Sequence, residues 1–330
     1  MKRLPIILLL LLALGAGAWF YSHNKAGTEL AAPGSGGRLS LTPLPALAEQ
    51  FSGAKAYEHV KALTEIGPRP SASEGYEKGL VYLEAEFAKA GWTTMRQSFT
   101  RTPSRPGESA ERQPVKFTNL LARHSATPDW TQSVPVVISG HVDSKLMPDI
   151  RFLGANDGGS STGVIVELAR VLATDPKAAD QVELVLFDGE EALLGDITEF
   201  DGLYGSKYYA TQVNRRSTWP AIGIVLDLIG DKNFPPRYNT DLQKNFHEAL
   251  IPAAKDSGLA IVDYGGAMTD DHVPLQNIKM PVLHLIGNFS VNSGGMPYWH
   301  QAGDTLAVID AGALEQTGRT VLRFLERVKN

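Results

Sequence analysis

The sequence contains no cysteine among its 330 residues. Without thiols, it forms no disulfide bond, carries no lipid on a cysteine and offers no thiolate to a zinc ion. Any metal must therefore be held by histidine and carboxylate side chains, which narrows the metal chemistry open to this protein.

Clustered positive charge is also scarce. The 31 Lys and Arg are outnumbered by 36 Asp and Glu, the net charge is −5, and no basic run occurs after the first few residues. Because nucleic-acid binding needs a concentrated basic face, this balance argues against nucleic acid as the main partner. The hydrophobic share of 43% is ordinary for a globular protein. The length allows one large α/β domain or two smaller ones, and the motifs described below favour one.

The long hydrophobic run of the chain lies near its start. Residues 2–21, KRLPIILLLLLALGAGAWFY, begin with two basic residues and continue as an apolar stretch. This pattern predicts a signal peptide or an N-terminal membrane anchor at residues 1–22, the anchor being formed by residues 4–21. The small residues 16–18 resemble a cleavage site, whereas the aromatic residues 19–21 suit an uncleaved anchor. We expect an exported protein, periplasmic or secreted, and leave cleavage open.

Residues 23–43 are rich in Gly, Ser, Ala and Pro and predict a flexible linker, so the folded domain is expected at residues 44–330. Within it, apolar residues recur at helical spacing in five segments: 48–67, 71–92, 162–175, 242–258 and 311–330. Continuous apolar runs typical of buried strands lie between or beside them at 117–124, 133–141, 181–189, 221–230 and 280–287. This alternation predicts an α/β fold with a mostly parallel central sheet and helices on both faces.

In such sheets the ligand site lies beyond the carboxyl ends of the strands. Histidine and carboxylate side chains occupy these ends and one loop before a helix: His141, Asp143, Asp157, Glu190, Glu191 and Asp227. The adjacent Glu190 and Glu191 suggest one metal ligand and one general base, although an isolated Glu-Glu pair is equally typical of a solvated loop. The convergence of several such ends favours a metal site.

Several motifs resemble those of one family. GHVDSK, GANDGGSSTG, FDGEE, LDLIG and the late YWH are similar to those of the zinc-dependent exopeptidases of the M28 aminopeptidase family, over roughly residues 46–330. Three features resemble its glutaminyl-peptide cyclotransferase branch: a long connection between GEE and LYGS, TDDHVP before PVLHLI, and Trp299 directly before His300. The resemblance implies the phosphorylase/hydrolase-like fold of zinc exopeptidases in a single catalytic domain.

The resemblance also implies roles for individual residues. Asp157, Glu191 and His300 would bind a catalytic Zn²⁺ and leave one coordination position open. Glu190 would be the general acid and base. Asp227 and Asp270 would form hydrogen bonds around the proton transfer, and Trp299 would form a wall of the substrate pocket.

A second metal is an open alternative. In dinuclear aminopeptidases of the family, the histidine that matches His141 holds a second zinc with Asp227, and Asp157 bridges the two ions. Cyclases keep these residue types and use one zinc, so the residues leave both counts open. Asp143 is expected either to orient a metal ligand or to be a plain loop carboxylate.

Two other histidines are weaker candidates. His284, inside an apolar strand-like run, is expected to be a core histidine. His272 is expected either to lie behind the ligands or to begin a helix. One departure from the branch concerns the pocket: where animal cyclases carry a tryptophan that lines it, this chain has Asp196.

As a cyclotransferase, the protein would convert the N-terminal glutamine of a peptide to pyroglutamate and release ammonia. The peptide's α-amine would be the nucleophile, and Glu190 would move the proton. The alternative is an aminopeptidase, in which Glu190 activates a water that cleaves the first peptide bond. In both, the partner is a peptide or protein N-terminus, and membrane contact is expected only through the N-terminal segment. A catalytically dead scaffold is disfavoured by the intact Glu190 and ligand set; oligomeric state is not predicted.

Overall fold

The computed structural model describes residues 37–105, 107, 111–290, 292 and 294–329. The predicted signal peptide or anchor lies outside the described residues, as does most of the predicted linker. Among the described residues, no helix is long and apolar enough to span a membrane. Leu39 donates its N–H to the carbonyl of Trp219 at 2.8 Å, and Leu41 is buried. The folded part therefore begins before residue 44, because residues 37–43 already pack on the domain.

The sheet has seven strands: β1 Thr93–Arg101, β2 Val115–Arg123, β3 Val136–His141, β4 Val182–Phe187, β5 Ile222–Asp227, β6 Arg237–Tyr238 and β7 Val282–Ile286. Their order is β1-β2-β4-β3-β5-β7-β6. The four central strands β4, β3, β5 and β7 are parallel, whereas β1, β2 and β6 run antiparallel to their neighbours. The predicted mostly parallel sheet is confirmed at its centre, and the outer strands make it mixed.

The described α-helices are α1 Gly53–Ile66, α2 Glu74–Lys89, α3 Gly159–Leu172, α4 Pro176–Ala179, α5 Tyr204–Asn214, α6 Lys244–Asp256, α7 His272–Asn277 and α8 Ala311–Arg327. Short 3₁₀ turns occupy Ala48–Gln50 and Leu306–Val308. The helix predicted at 48–67 is thus interrupted at residues 51–52, where the extended Ser52 caps α1 by accepting the N–H of Lys55. Ser73 caps α2 in the same way.

Helices cover both faces of the sheet, as predicted. Alternate strand residues point to opposite faces: Val136 and Ile138 of β3 belong to the large core shared with α1, α3 and α8, whereas Val137 packs with Tyr209 of α5 on the other face. This two-sided burial explains why the central strands read as continuous apolar runs.

The carboxyl ends of β3, β4 and β5 meet at one edge of the sheet. His141 at the end of β3 pairs with Phe187 at the end of β4, and β5 ends at Asp227. The loops that follow these strands therefore lie side by side, and they carry the candidate ligands.

Candidate metal centre and active site

Three residues from distant parts of the chain converge at this edge. Asp157 lies in the loop before α3, Glu191 in the loop after β4, and His300 in the loop between β7 and α8. One oxygen or nitrogen from each lies within 4.8 Å of the other two. His300 Nε2 is 3.4 Å from Asp157 Oδ2 and 3.2 Å from Glu191 Oε1. The structure thus brings together the three residues that the sequence assigned to a metal.

The donor set suits a zinc ion. Asp157 Oδ2 and Glu191 Oε1 are buried and accept no hydrogen bond from the described residues. Two buried carboxylate oxygens that face one shared imidazole are costly unless a cation, either a metal ion or the protonated His300, compensates them. Two carboxylates with one imidazole also make the three-ligand set typical of catalytic zinc. The site therefore fits the ion that the family resemblance implies.

Buried hydrogen bonds fix the loops that carry the ligands. Asp304 accepts the N–H groups of Asn156 at 2.7 Å and Asp157 at 3.0 Å, which ties the Asp157 loop to the segment after His300. Asp143 accepts the N–H groups of Glu190 at 3.3 Å and Glu191 at 3.2 Å. Of the two roles expected for Asp143, the structure places it in the first, because its carboxylate holds the backbone of a candidate ligand.

Two cationic side chains add to this support. Lys145 Nζ lies 3.1 Å from Glu191 Oε2 and so holds the oxygen that faces away from His300. Arg69 is fully buried and donates to the carbonyls of Val142 at 3.1 Å and Gly154 at 3.0 Å. Burial lowers the pKa of Arg69 to about 10, against the raising effect of nearby carboxylates, so its guanidinium still carries a charge at neutral pH.

Backbone geometry at two glycines allows these turns. Gly189, directly before Glu190, has a φ of 69°, and a Cβ there would lie 2.6 Å from the ring of Phe117. Gly158, directly after Asp157, has a φ of 78°, and its Cβ would meet the carbonyl of Asp143 at 2.7 Å. Only glycine fits both positions.

His300 itself is in the left-handed region, with a φ of 52°. For a residue with a side chain this costs about 1–2 kcal/mol, which the surrounding contacts must offset. Trp299 stacks on its ring at a centroid distance of 3.9 Å, and Phe152 contacts its edge at 5.9 Å. The imidazole is thereby directed towards the two carboxylates.

A second group shares Asp157. His141 Nε2 lies 3.2 Å from Asp157 Oδ1 and 3.1 Å from Asp227 Oδ1, and these three residues also form a metal-sized cluster. Asp157 therefore stands between His300 on one side and His141 on the other. This is the arrangement that the sequence offered for a second metal, and the positions alone fit either one ion or two.

A cavity of about 250 Å³ opens beside this cluster. It is lined by Lys145, Asp157, Glu190, Glu191, Asp196, Ile197, Asp227, Leu228, Thr269, Asp270, Ile286, Phe289, Trp299 and His300. All the residues to which the sequence assigned a catalytic, pocket or first-metal role thus face one space. His141, which was expected only at a possible second metal, lies behind Asp157 and Asp227 and does not line the cavity.

Glu190 is buried and lines this cavity. Its carboxylate accepts no hydrogen bond from the described residues. Burial raises its pKa well above the ordinary value, and the charges of Glu191, Asp270 and Asp271 raise it further, while His141 acts in the opposite direction. A carboxyl group with a raised pKa takes up a proton more readily than an ordinary glutamate, which suits it to proton transfer.

Asp270 and Asp227 are held differently. Asp270 Oδ2 bonds to His284 Nε2 at 2.9 Å. Burial opposes ionisation of Asp270, but His284 outweighs it and lowers the pKa to about 2. For Asp227, burial dominates and raises the pKa to about 6, although the hydrogen bond from His141 opposes it. Asp270 is therefore a fixed anion and Asp227 a group that titrates near neutrality.

The two weaker histidines are not placed as metal ligands. His284 lies in β7, fully buried, as expected of a core histidine, and His272 is the first residue of α7. With Asp270 they form a metal-sized group, but their rings stack at 4.1 Å with an angle of 18° between planes. Because an imidazole binds metal in its ring plane, one ion cannot lie in both planes.

Three supporting residues escaped sequence reasoning. Asp304 follows an unremarkable loop, Lys145 only formed part of the GHVDSK motif, and Arg69 lies in the segment GPRPSAS, for which no functional role was predicted. Their function depends on contacts across 46 to 148 residues of chain, for which local pattern gives no signal.

The comparison with known proteins defines the class. Residues 119–325, more than half of the chain, match the family model of Peptidase family M28. The chain therefore belongs to Peptidase family M28, and the single α/β domain with its mixed, mostly parallel sheet is the fold of that family.

Within the family, the chain belongs to the glutaminyl cyclase branch. It is 27% identical to a glutaminyl-peptide cyclotransferase-like protein of Bos taurus, over 78% of this chain and 71% of the relative. A crystal structure of Porphyromonas gingivalis glutaminyl cyclase matches with a TM-score of 0.71 and 26% identity, over 84% of this chain and 98% of the other. The chain spans 60% to 71% of the length of three curated relatives that it matches.

A leucine aminopeptidase precursor from Bacteroides thetaiotaomicron matches with a TM-score of 0.68 at 22% identity, over 84% of this chain and 98% of the other. At this identity the match supports the fold alone.

Proposed function

We propose that this protein is a zinc-dependent glutaminyl-peptide cyclotransferase, which converts the N-terminal glutamine of a peptide to pyroglutamate. The observation that carries the proposal is Glu190, a buried carboxylate that accepts no hydrogen bond from the described residues, in a small cavity beside the three candidate ligands. At about 250 Å³, the cavity is smaller than the roughly 300–1,000 Å³ of sites for drug-sized ligands. It suits one residue of a peptide and not an extended segment.

Asp157, Glu191 and His300 would hold the zinc. When bound there, Zn²⁺ supplies a Lewis acid that polarises the γ-carbonyl of the glutamine side chain. The loop contacts of Asp304 and Asp143 keep these side chains in place before substrate arrives, which lowers the cost of reorganisation during the reaction.

Glu190 would move the proton. The α-amine of the glutamine attacks the carbonyl carbon of the same residue's side chain, which is Cδ. A new carbon–nitrogen bond closes the ring, and the bond from Cδ to the side-chain nitrogen breaks. Glu190 takes a proton from the attacking amine and gives it to the leaving nitrogen, which departs as ammonia. The raised pKa of Glu190 makes the protonated form accessible for the second of these transfers.

Asp270 and Asp227 would tune this transfer. Asp270, held ionised by His284, keeps a negative charge that raises the pKa of Glu190. Asp227 lies in the same wall and orients His141. Trp299 would form an apolar wall against which the methylene groups of the glutamine pack, and this orients a flexible side chain for ring closure.

Aminopeptidase activity is the second candidate. The position of Asp157 between His300 and His141 is the arrangement needed for two bridged metals. In that case Glu190 would activate water, and the first peptide bond would be hydrolysed. The cyclase proposal uses one zinc ion, and the aminopeptidase alternative uses one or two.

The cellular setting follows from residues 1–22. Their basic start and apolar stretch support an exported protein, periplasmic or secreted, with membrane contact only through a retained N-terminal segment. We place the catalytic domain after the linker and infer peptide or protein N-termini as substrates, not nucleic acid.

The test is mass spectrometry of a short peptide with N-terminal glutamine, incubated with the zinc-loaded protein. Loss of one ammonia from an otherwise intact peptide, faster than in a matched sample with Glu190→Gln, supports the cyclase. Release of free glutamine instead supports the aminopeptidase. An unchanged peptide contradicts both.

A further inference from the structure

One carboxylate of the cavity takes no part in the proposed chemistry. Asp196 lines the cavity but is exposed to solvent, whereas the candidate ligands Asp157 and Glu191 are buried at its inner end. Asp196 therefore marks the mouth. Within the described residues, its carboxylate has no hydrogen-bond or ion-pair partner. Its negative charge therefore faces the part of a bound peptide that extends out of the cavity.

The loop that carries Asp196 is held in place by several hydrogen bonds. The Asp201 carboxylate accepts the N–H groups of Leu193 at 3.0 Å and Leu194 at 2.6 Å. Lys145 Nζ donates to the carbonyl of Gly195 at 3.0 Å and at the same time contacts Glu191. The backbone that carries Asp196 is thus fixed relative to a candidate metal ligand, which keeps its carboxylate at the mouth of the cavity.

Two cations lie near this loop. Lys145 is engaged by Glu191 and by loop carbonyls, and Arg105 donates to the carbonyl of Leu194. Both weaken the field of Asp196, and solvent screens it further. The effect of Asp196 on a passing charge is therefore expected to be modest and sensitive to salt.

We propose that Asp196 selects, among peptides with N-terminal glutamine, those with lysine or arginine as the second residue. This selectivity rests on the proposed cyclotransferase function. When glutamine fills the inner cavity, the second residue must emerge at the mouth, where Asp196 is the exposed charged group of the lining. A basic side chain there forms an ion pair, and an acidic one is repelled.

The experiment compares kcat/KM for three peptides that differ only in the second residue, which is lysine, alanine or glutamate. In the wild-type protein, the lysine peptide is expected to exceed the glutamate peptide by about two- to fivefold at low salt, the range of an exposed ion pair. Asp196→Asn should abolish the difference and Asp196→Lys should reverse it. Glu199→Gln is the matched control, since Glu199 is an exposed acid of the same loop outside the cavity lining.

The alanine peptide distinguishes a failure of the proposed selectivity from a failure of the proposed cyclase activity. If it is cyclised by all variants but lysine and glutamate peptides react equally in the wild type, the selectivity is refuted and the cyclase stands. A preference that survives in Asp196→Asn, or vanishes in Glu199→Gln, also refutes the role of Asp196. If no peptide loses ammonia, the cyclase proposal fails, and the selectivity fails with it.

Discussion

Replacing Glu190 with glutamine separates proton transfer from metal binding. The change keeps the size and shape of the side chain and removes its ability to accept a proton. Because the Glu190 carboxylate accepts no hydrogen bond from the described residues, the amide leaves no donor of the protein unpaired. We expect kcat to fall by about 10²- to 10⁴-fold, the usual contribution of a general acid–base group. Zinc content should be unchanged, since the ligands Asp157, Glu191 and His300 are untouched.

The same variant should also change how the stability of the protein depends on pH. The folded-state pKa of Glu190 is raised, mainly by burial, so its contribution to stability is complete at low pH and is lost as the group ionises in the folded protein. Glutamine carries no such loss. In metal-free protein, the melting temperature of Glu190→Gln relative to wild type should therefore rise as the pH increases above about 4.3, the ordinary pKa of glutamate.

Three assays check the reasoning: ammonia release under saturating peptide, zinc content by atomic absorption, and thermal melting after chelation. The control is Glu191→Gln, which should lose both zinc and activity, because it replaces a ligand. If Glu190→Gln kept more than about a tenth of the wild-type kcat, Glu190 would not be the proton carrier. If it lost zinc, the division of labour between the adjacent glutamates would be wrong.

The remaining predictions concern the metal. His300→Ala should bind little or no zinc in metal analysis after dialysis, whereas His124→Ala, a half-buried histidine remote from the cavity, should keep it. Burial lowers the pKa of His300, but Asp157 and Glu191 outweigh it and raise the pKa to about 9. Zinc affinity should therefore increase with pH up to about 9, with proton release on binding detectable by calorimetry in two buffers; a flat profile would contradict the assignment. Asp304→Asn replaces an oxygen that accepts a ligand-loop N–H, so zinc affinity in competitive titration should fall by about 10- to 100-fold; unchanged affinity would mean that the loop is held by other contacts.

The sequence by itself determined the elements with a local or periodic cause. The central strands are buried on both faces, so they appear as uninterrupted apolar runs. The helices α1 and α2 end near glycines and begin at serine caps, which are short-range signals. The candidate site was also found, because residues at the ends of parallel strands meet at one edge and the motifs are local in sequence. The ligand roles of Asp157, Glu191 and His300 were predicted from the resemblance of these motifs to those of the M28 family.

The sequence did not indicate the outer parts of the sheet. β1 has one buried residue among nine and no apolar periodicity, and β6 has only two residues, so neither was predicted. No helix was predicted for the α5 segment, because its buried residues, among them Tyr209 and Val213, lie among polar ones. These elements form because they pack on or pair with neighbouring parts of the domain, and their own composition does not specify them.

Only the tertiary structure decided how the site is supported. Asp304 reaches the backbone of Asp157, 147 residues away, Lys145 spans 46 residues to Glu191, and the ring of Trp299 stacks on His300. It also decided that Asp157 faces both His300 and His141 and that Asp196 lies at the mouth of the cavity. Such contacts depend on the relative placement of separate loops on the sheet. That placement is fixed by packing of the whole domain, so a pattern within any one segment carries no record of it.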